Sequence, residues 1–160
     1  MTGMNMVSLA WHYTITPIYF EILKSGYLKP SDSYLTPGEK PVLWFSSNPF
    51  WEETANKSLK DHGMTIHLSM EETAQKAGGL VRFAFPSESL VRWPRIGQQA
   101  NIKSKERKIL EEAGIRRGAD PRQWYGTLER INVDDCIAIE TMKIETRTWE
   151  TLVDGIIGNQ

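Results

Sequence analysis

The apolar residues of this chain come in short runs, each closed within a few positions by glycine, proline, serine or asparagine. Such runs build short strands and helices of a few turns, and they exclude long helices and coiled coils. Residues 7–14 read as a strand that ends in the polar-aromatic cluster Trp11, His12, Tyr13 and Thr14. Thr16 and Pro17 read as a helix start, Ile18, Tyr19, Ile22 and Leu23 as its apolar stripe, and Gly26 as its stop. The stretch from Pro30 to Pro41 reads as a surface flap. Further strands are predicted over 42–45, 65–70, 80–85, 124–131, 136–142 and 146–152, the last pairing back on its predecessor. A helix or turn is predicted from Asn48-Pro49 through Ala55. A second helix is predicted over 105–113, capped by Ser104, burying Ile109, Leu110 and Ala113 and ended by Gly114. Residues 71–79 and 87–104 read as connections. Mostly strand, with short helices and no regular alternation, predicts the α+β class.

A length of 160 residues suits one domain over 1–160, and 40% apolar residues suffice for a core. Nineteen basic residues against 20 acidic ones leave a net charge of -1, which excludes a strongly basic nucleic-acid-gripping surface. The local basic stretch Arg92, Arg95, Lys103, Lys105, Arg107 and Lys108 is the one feature that favours a polyanionic partner, and it also reads simply as a solvated face. The single cysteine, Cys136, excludes an internal disulfide framework and suits a reducing compartment. No run nears the ~18 apolar residues of a membrane span. The first ten residues hold no Lys or Arg, unlike a secretory signal. The expectation is a cytoplasmic protein with no membrane partner.

Phosphate-cradling loops, dinucleotide fingerprints and nucleophile elbows are absent from the sequence. His12, His62 and His67 lack metal-ligand spacing, so no metal is expected. Cys136, with Asp134 and Asp135 before it, reads as a core residue with a raised pKa. The pairs Glu52-Glu53, Glu71-Glu72 and Glu111-Glu112 read as solvated faces. Two clusters stand apart. Trp11 to Thr14, and Trp44 to Asn48, each put aromatic and hydrogen-bonding side chains at a strand end before a helix start, where polar ligands commonly sit. Lining one cleft, they would offer aromatic faces to a ring, and hydroxyls and an imidazole to ribose or amide groups. The alternative is that His12 and Thr14 satisfy backbone groups while Trp11 and Tyr13 pack in the core.

The order of these features resembles the ADP-ribosyltransferase fold of the poly(ADP-ribose) polymerase-like and diphtheria-toxin-like enzymes. His12-Tyr13-Thr14 resembles that family's strand-end histidine and the short polar residue after it, which contact ribose and the nicotinamide amide. Ile18 to Leu28 looks like its helix and glycine turn, and Val42 to Ser47 is similar to its second strand, whose aromatic and hydroxyl residues flank nicotinamide. The resemblance implies a mixed, mostly antiparallel split β-sheet with short helices. It implies NAD as substrate, bound by His12, Tyr13, Thr14, Trp44, Phe45 and Ser46. The family's late-strand acid, which binds the ribose 2′-hydroxyl, counts back to Arg122, Gln123 or Trp124 from the similar segment Arg130-Ile131-Asn132-Val133. Gln123 can hydrogen-bond a hydroxyl but carries no charge. Glu129 is the nearest acid, and it shares a face with Gln123 in an unbroken strand. His12, Gln123 and Glu129 are therefore the catalytic residues the resemblance implies.

The implied activity is NAD-dependent ADP-ribosyl transfer or NAD cleavage, in a toxin or a phage-host conflict protein, with protein, nucleic acid or water as acceptor. The missing late acid favours the alternative of a noncatalytic nucleotide-binding or protein-interaction module. RNA 2′-phosphotransferases share the scaffold and rely on several Arg and His around a phosphate, a weaker alternative because Arg82, Arg116 and Arg117 stand in no such motif. The Trp-His-Tyr-Thr opening and the block from Pro41 to Glu52 also resemble a group of bacterial and phage-type proteins, a likeness that brings no activity with it.

Overall fold

The computed structural model describes residues 7–32 and 35–152. Most of the opening segment, and Ser33 and Tyr34 of the expected flap, lie outside the described residues. Strand β1 (Leu9–Ile15) runs directly into helix α1 (Thr16–Ser25), then β2 (Tyr27–Leu28) and β3 (Leu43–Ser46). The hairpin β4 (Ser58–Asp61) and β5 (Met64–His67) leads to α2 (Met70–Ala77) and β6 (Leu80–Pro86). Next come β7 (Val91–Arg92), α3 (Arg95–Gln99) and α4 (Ser104–Arg116). The described chain ends with β8 (Trp124–Thr127), β9 (Ile131–Asn132), β10 (Ala138–Lys143) and β11 (Thr148–Thr151). Seven strands form one sheet in the order β11-β10-β6-β1-β3-β8-β7, every neighbouring pair antiparallel. Strands β2 and β9 form a separate pair, as do β4 and β5. The architecture is α+β, and β11 does pair back on β10. No helix among the described residues is long and apolar enough to cross a membrane.

Side-chain alternation along β1 assigns the two faces of the sheet. Ala10 packs with Tyr19 and Ile22 of α1 and with Phe45 and Phe83. On the opposite face Trp11, Tyr13 and Ile15 meet Trp51, Leu80, and Met70 and Ala74 of α2. Farther along that side, Trp44 joins Trp93, Ile96 and Trp124 under α3. Strands β1 and β6 pair from Leu9↔Pro86 to Ile15↔Leu80, whereas β1 and β3 meet only at Trp11↔Ser46. The sheet opens between β1 and β3, and the cleft described below lies there.

Several elements differ from the sequence expectation, each for a packing or capping reason. Residues 71–79 are mostly helix. Ser69 and Glu72 form a reciprocal capping box, and Met70, Thr73 and Ala74 are buried on one side. The strand expected over 65–70 begins at Met64 and ends at His67, so Met70 opens the helix instead. Residues 87–104 contain β7 and α3, because Ile96 and Ala100 bury against Val42 and Trp93. Thr16 does not cap α1; it is the first helical residue, and its hydroxyl donates to the Gly78 carbonyl at 3.4 Å. Gly26 does stop that helix, with φ of 83°. Asn48-Pro49 opens a turn, and only Glu53–Ala55 is helical. Helix α4 has no side-chain cap from Ser104 and runs past Gly114 to Arg116. Ile109 and Leu110 are exposed on it rather than buried. The strand expected over 124–131 breaks after Thr127, and its remainder, Ile131–Asn132, pairs with β2 instead. The strand expected from Cys136 begins at Ala138.

Candidate functional site

Where β1 and β3 part, a cleft of about 560 Å³ is lined by Trp11, His12, Tyr13, Trp44, Phe45 and Ser46. This volume falls within the usual range for small-molecule sites. Its far wall comes from the segment after β3 (Glu52, Thr54, Lys57) and from α4 and the residue that follows it (Leu110, Gly114, Arg117), with Trp124 also lining it. The two aromatic clusters of the sequence therefore meet in one hollow. His12 spans the opening, its Nδ1 lying 2.8 Å from the Trp44 carbonyl oxygen. A carbonyl only accepts, so Nδ1 carries the proton and Nε2 is left as an acceptor. Burial holds the imidazole pKa below its ordinary value; the bond to Trp44 opposes this, and the charge of Lys57 adds to it. The ring is thus kept neutral, and Nε2 has no partner among the described residues.

Four of the six indole N–H groups donate to the protein. Trp51 donates to Asn56, Trp93 to Glu111, Trp124 to Glu52 and Trp149 to the Phe50 carbonyl. The other two, Trp11 and Trp44, both line the cleft, and neither N–H finds an acceptor among the described residues. The Trp11 nitrogen is also buried. Solvent reaches the Trp44 N–H, whereas the Trp11 N–H and the Tyr19 hydroxyl are the two buried side-chain polar groups without a partner among the described residues.

Glu52 is the residue the sequence reading missed. Adjacent glutamates suggest a solvated face, yet Glu52 is only 8% exposed. Its Oε2 accepts from Thr54 Oγ1 at 2.6 Å, Thr54 N at 3.3 Å and Trp124 Nε1 at 3.2 Å. Its Oε1 accepts from no donor among the described residues. The neighbouring Glu53 has its pKa raised by burial and by the charges of Glu52 and Glu71. Nothing in the local sequence separates the two glutamates. Only the partner indole, supplied by β8, shows which of them turns inward. Glu111 is likewise not simply solvated, since it accepts from Trp93 Nε1 at 2.6 Å.

Other expected site residues lie elsewhere. Thr14 is buried and does not line the cleft. Gln123 ends a short turn outside it, and its backbone carbonyl accepts from Ser47 N at 2.8 Å. Glu129 is exposed beyond the end of β8, so the expectation that it shares a strand face with Gln123 fails where the strand breaks. Neither Gln123 nor Glu129 reaches the cleft. Of the three positions counted back for a late acid, Trp124 alone does, carrying an indole in place of a carboxylate. Tyr13 lines the cleft with its ring edge against Trp51, and its hydroxyl donates to the Asn48 carbonyl. Burial pushes that phenol up to about 12, so it stays protonated.

Arg82 is spent on structure. Its guanidinium pairs with Glu140 at 2.7 Å, donates to the Pro49 carbonyl and lies between the rings of Trp11 and Trp149. Arg117 lines the cleft and also lies 3.3 Å from His67 Nε2. Burial and Asp135 push the Cys136 thiol up to about 12, in keeping with an inert residue packed on the core. A second hollow of about 380 Å³ opens on the α1 side of His12, lined by Ile18, Glu21, Ser25, Tyr27 and Lys29. His12 borders both hollows. No protein-family model, curated protein or solved structure matches this chain.

Proposed function

We propose that the cleft binds NAD and cleaves its nicotinamide–ribose bond, passing ADP-ribose to water or to a protein or nucleic-acid acceptor. The observation that carries this reading is the buried Glu52 carboxylate in the same hollow as the neutral His12 and the two unpaired indoles. In this reading Trp44 offers its face to the nicotinamide ring. His12 Nε2 accepts from a ribose hydroxyl, because its other nitrogen is committed to Trp44. Glu52 Oε1 accepts from the 2′-hydroxyl and stabilises the positive charge that develops on the ribose as the bond breaks. The bonding electrons leave with nicotinamide, and the incoming hydroxyl gives its proton to solvent. Lys57 and Arg117 supply positive charge for the pyrophosphate. Positioning and charge do the chemistry, and no strong nucleophile is required. In this reading Glu52, rather than Gln123 or Glu129, meets the ribose 2′-hydroxyl. The lone cysteine fits the reducing cytoplasm, where NAD is the available substrate.

A second reading is a nucleotide-binding module without turnover, favoured by the absence of an acid at the start of β8. NAD labelled on nicotinamide and, separately, on adenine separates the two. The enzyme reading expects free nicotinamide, reduced ~100-fold in Glu52→Gln with NAD affinity largely kept, the scale seen when one charge-stabilising group is lost. Binding by wild type with no nicotinamide release would leave the module, and no binding would end both.

A further inference from the structure

We infer that Trp124 is a positioning residue, whose indole N–H holds the Glu52 carboxylate in the cleft and places that carboxylate under the control of helix α4. The catalytic consequence rests on the NAD-cleaving reading; the clamp itself does not.

Glu52 lies outside every strand and helix, on an extended stretch leading into a single helical turn. Two of the donors on its Oε2 come from Thr54, two residues away, and travel with the same segment. Trp124 Nε1, at 3.2 Å, is the one donor among the described residues that ties the carboxylate to the sheet. Trp124 is itself well anchored. It opens β8 opposite Ser46, and its ring packs edge-on to Trp93 at 5.5 Å and to Trp44 at 6.4 Å.

Gly114 explains why α4 matters. A Cβ at this position would sit 2.5 Å from Cζ2 of Trp124 and 2.7 Å from its Cη2, so no side chain fits between helix and indole. Glycine in a helix interior costs about 1 kcal/mol relative to alanine. Here it permits direct contact between the α4 backbone and the ring that holds the acid. With three donors on Oε2, only Oε1 remains to meet a ligand hydroxyl. Losing the indole donor would free the carboxylate to swing with its segment without removing its charge.

The test is a double-mutant cycle on the full chain using Trp124→Phe, which keeps an aromatic ring on β8 but has neither the N–H nor the outer ring atoms that meet Gly114, and Glu52→Gln. We expect Trp124→Phe to lower nicotinamide release at saturating NAD ~10-fold while changing NAD affinity less than ~3-fold, and to lower it no further in the Glu52→Gln background. Gly114→Ala, which keeps every polar group and displaces only the indole, is expected to reproduce the loss. Two readouts need no NAD. The Trp124 indole N–H signal in a nitrogen-15 NMR spectrum should move in Glu52→Gln while the Trp51 and Trp149 signals stay, and the thermal midpoints of the same four proteins should be non-additive. Independent, multiplying effects on turnover would overturn the inference, as would an unmoved Trp124 signal. Wild type that fails to bind NAD ends the functional reading instead, and the NMR and thermal results still decide the clamp.

Discussion

His12 stands one residue beyond the single pairing of β1 with β3, and its imidazole takes over one of the contacts a longer ladder would have made. Donating Nδ1–H to the Trp44 carbonyl satisfies a backbone acceptor at the edge of the opening and orients the ring. The sequence left two roles open for this residue, ligand contact or satisfaction of the backbone, and the geometry gives it the second while leaving Nε2 for the first. Its lowered pKa has a definite sign. The unfolded chain binds the proton more readily, at the ordinary imidazole value of 6.5, than the folded chain does. The contribution of His12 to stability is therefore intact above the unfolded pKa and is lost as the pH falls through the lower folded value. Urea unfolding between about pH 7.5 and pH 5 should show wild type losing more stability than His12→Asn, which keeps an N–H donor and does not titrate. Equal pH dependence in the two proteins would mean that His12 is not held neutral.

At the scale of elements, the cleft exists because β1 shares seven paired positions with β6 but only Trp11↔Ser46 with β3. The strands β1 and β3 were readable in the sequence, and so were the aromatic clusters that end them. The divergence of the strands was not, since it depends on where β3 is drawn by β8, to which it pairs from Leu43↔Thr127 to Ser46↔Trp124. Helix α2 shows the opposite situation. Its capping box, Ser69 with Glu72, was present in the sequence, but the polar run Glu71 to Lys76 hid it, because only Met70, Thr73 and Ala74 turn inward. Ser69→Ala should cost about 1 kcal/mol in urea unfolding, the usual value for a lost N-cap. A change below a few tenths would mean that packing alone holds α2 in place.

Across the whole molecule, Arg82 joins parts of the chain far apart in sequence. From β6 it reaches Tyr13 on β1, the Pro49 carbonyl after β3 and Glu140 on β10, and its guanidinium lies 4.4 Å from the centroid of the Trp149 ring on β11. The pair with Glu140 is largely shielded, with side chains 8% and 18% exposed. Removing one member of such a pair leaves a charge without its counterion, which costs more than the pair contributes. Glu140→Ala should therefore destabilise the protein by about 3 kcal/mol in urea unfolding, and the double replacement Arg82→Met with Glu140→Met should recover most of that loss. A double variant as unstable as the single one would show instead that Arg82 acts through its stacking on Trp11 and Trp149.

Periodicity, glycine and proline punctuation, and the clustering of aromatic with polar residues were local properties. They were enough to imply the α+β class, the end of α1 at Gly26, the return of the last strand onto its neighbour, and the two aromatic-polar clusters that meet at the cleft. The acid in the cleft was a different matter. Glu52 and Glu53 are chemically alike and adjacent, and the indole that distinguishes them arrives from a strand 72 positions later. A carboxylate enters an interior only where donors already wait for it, and which donors wait depends on how distant segments pack.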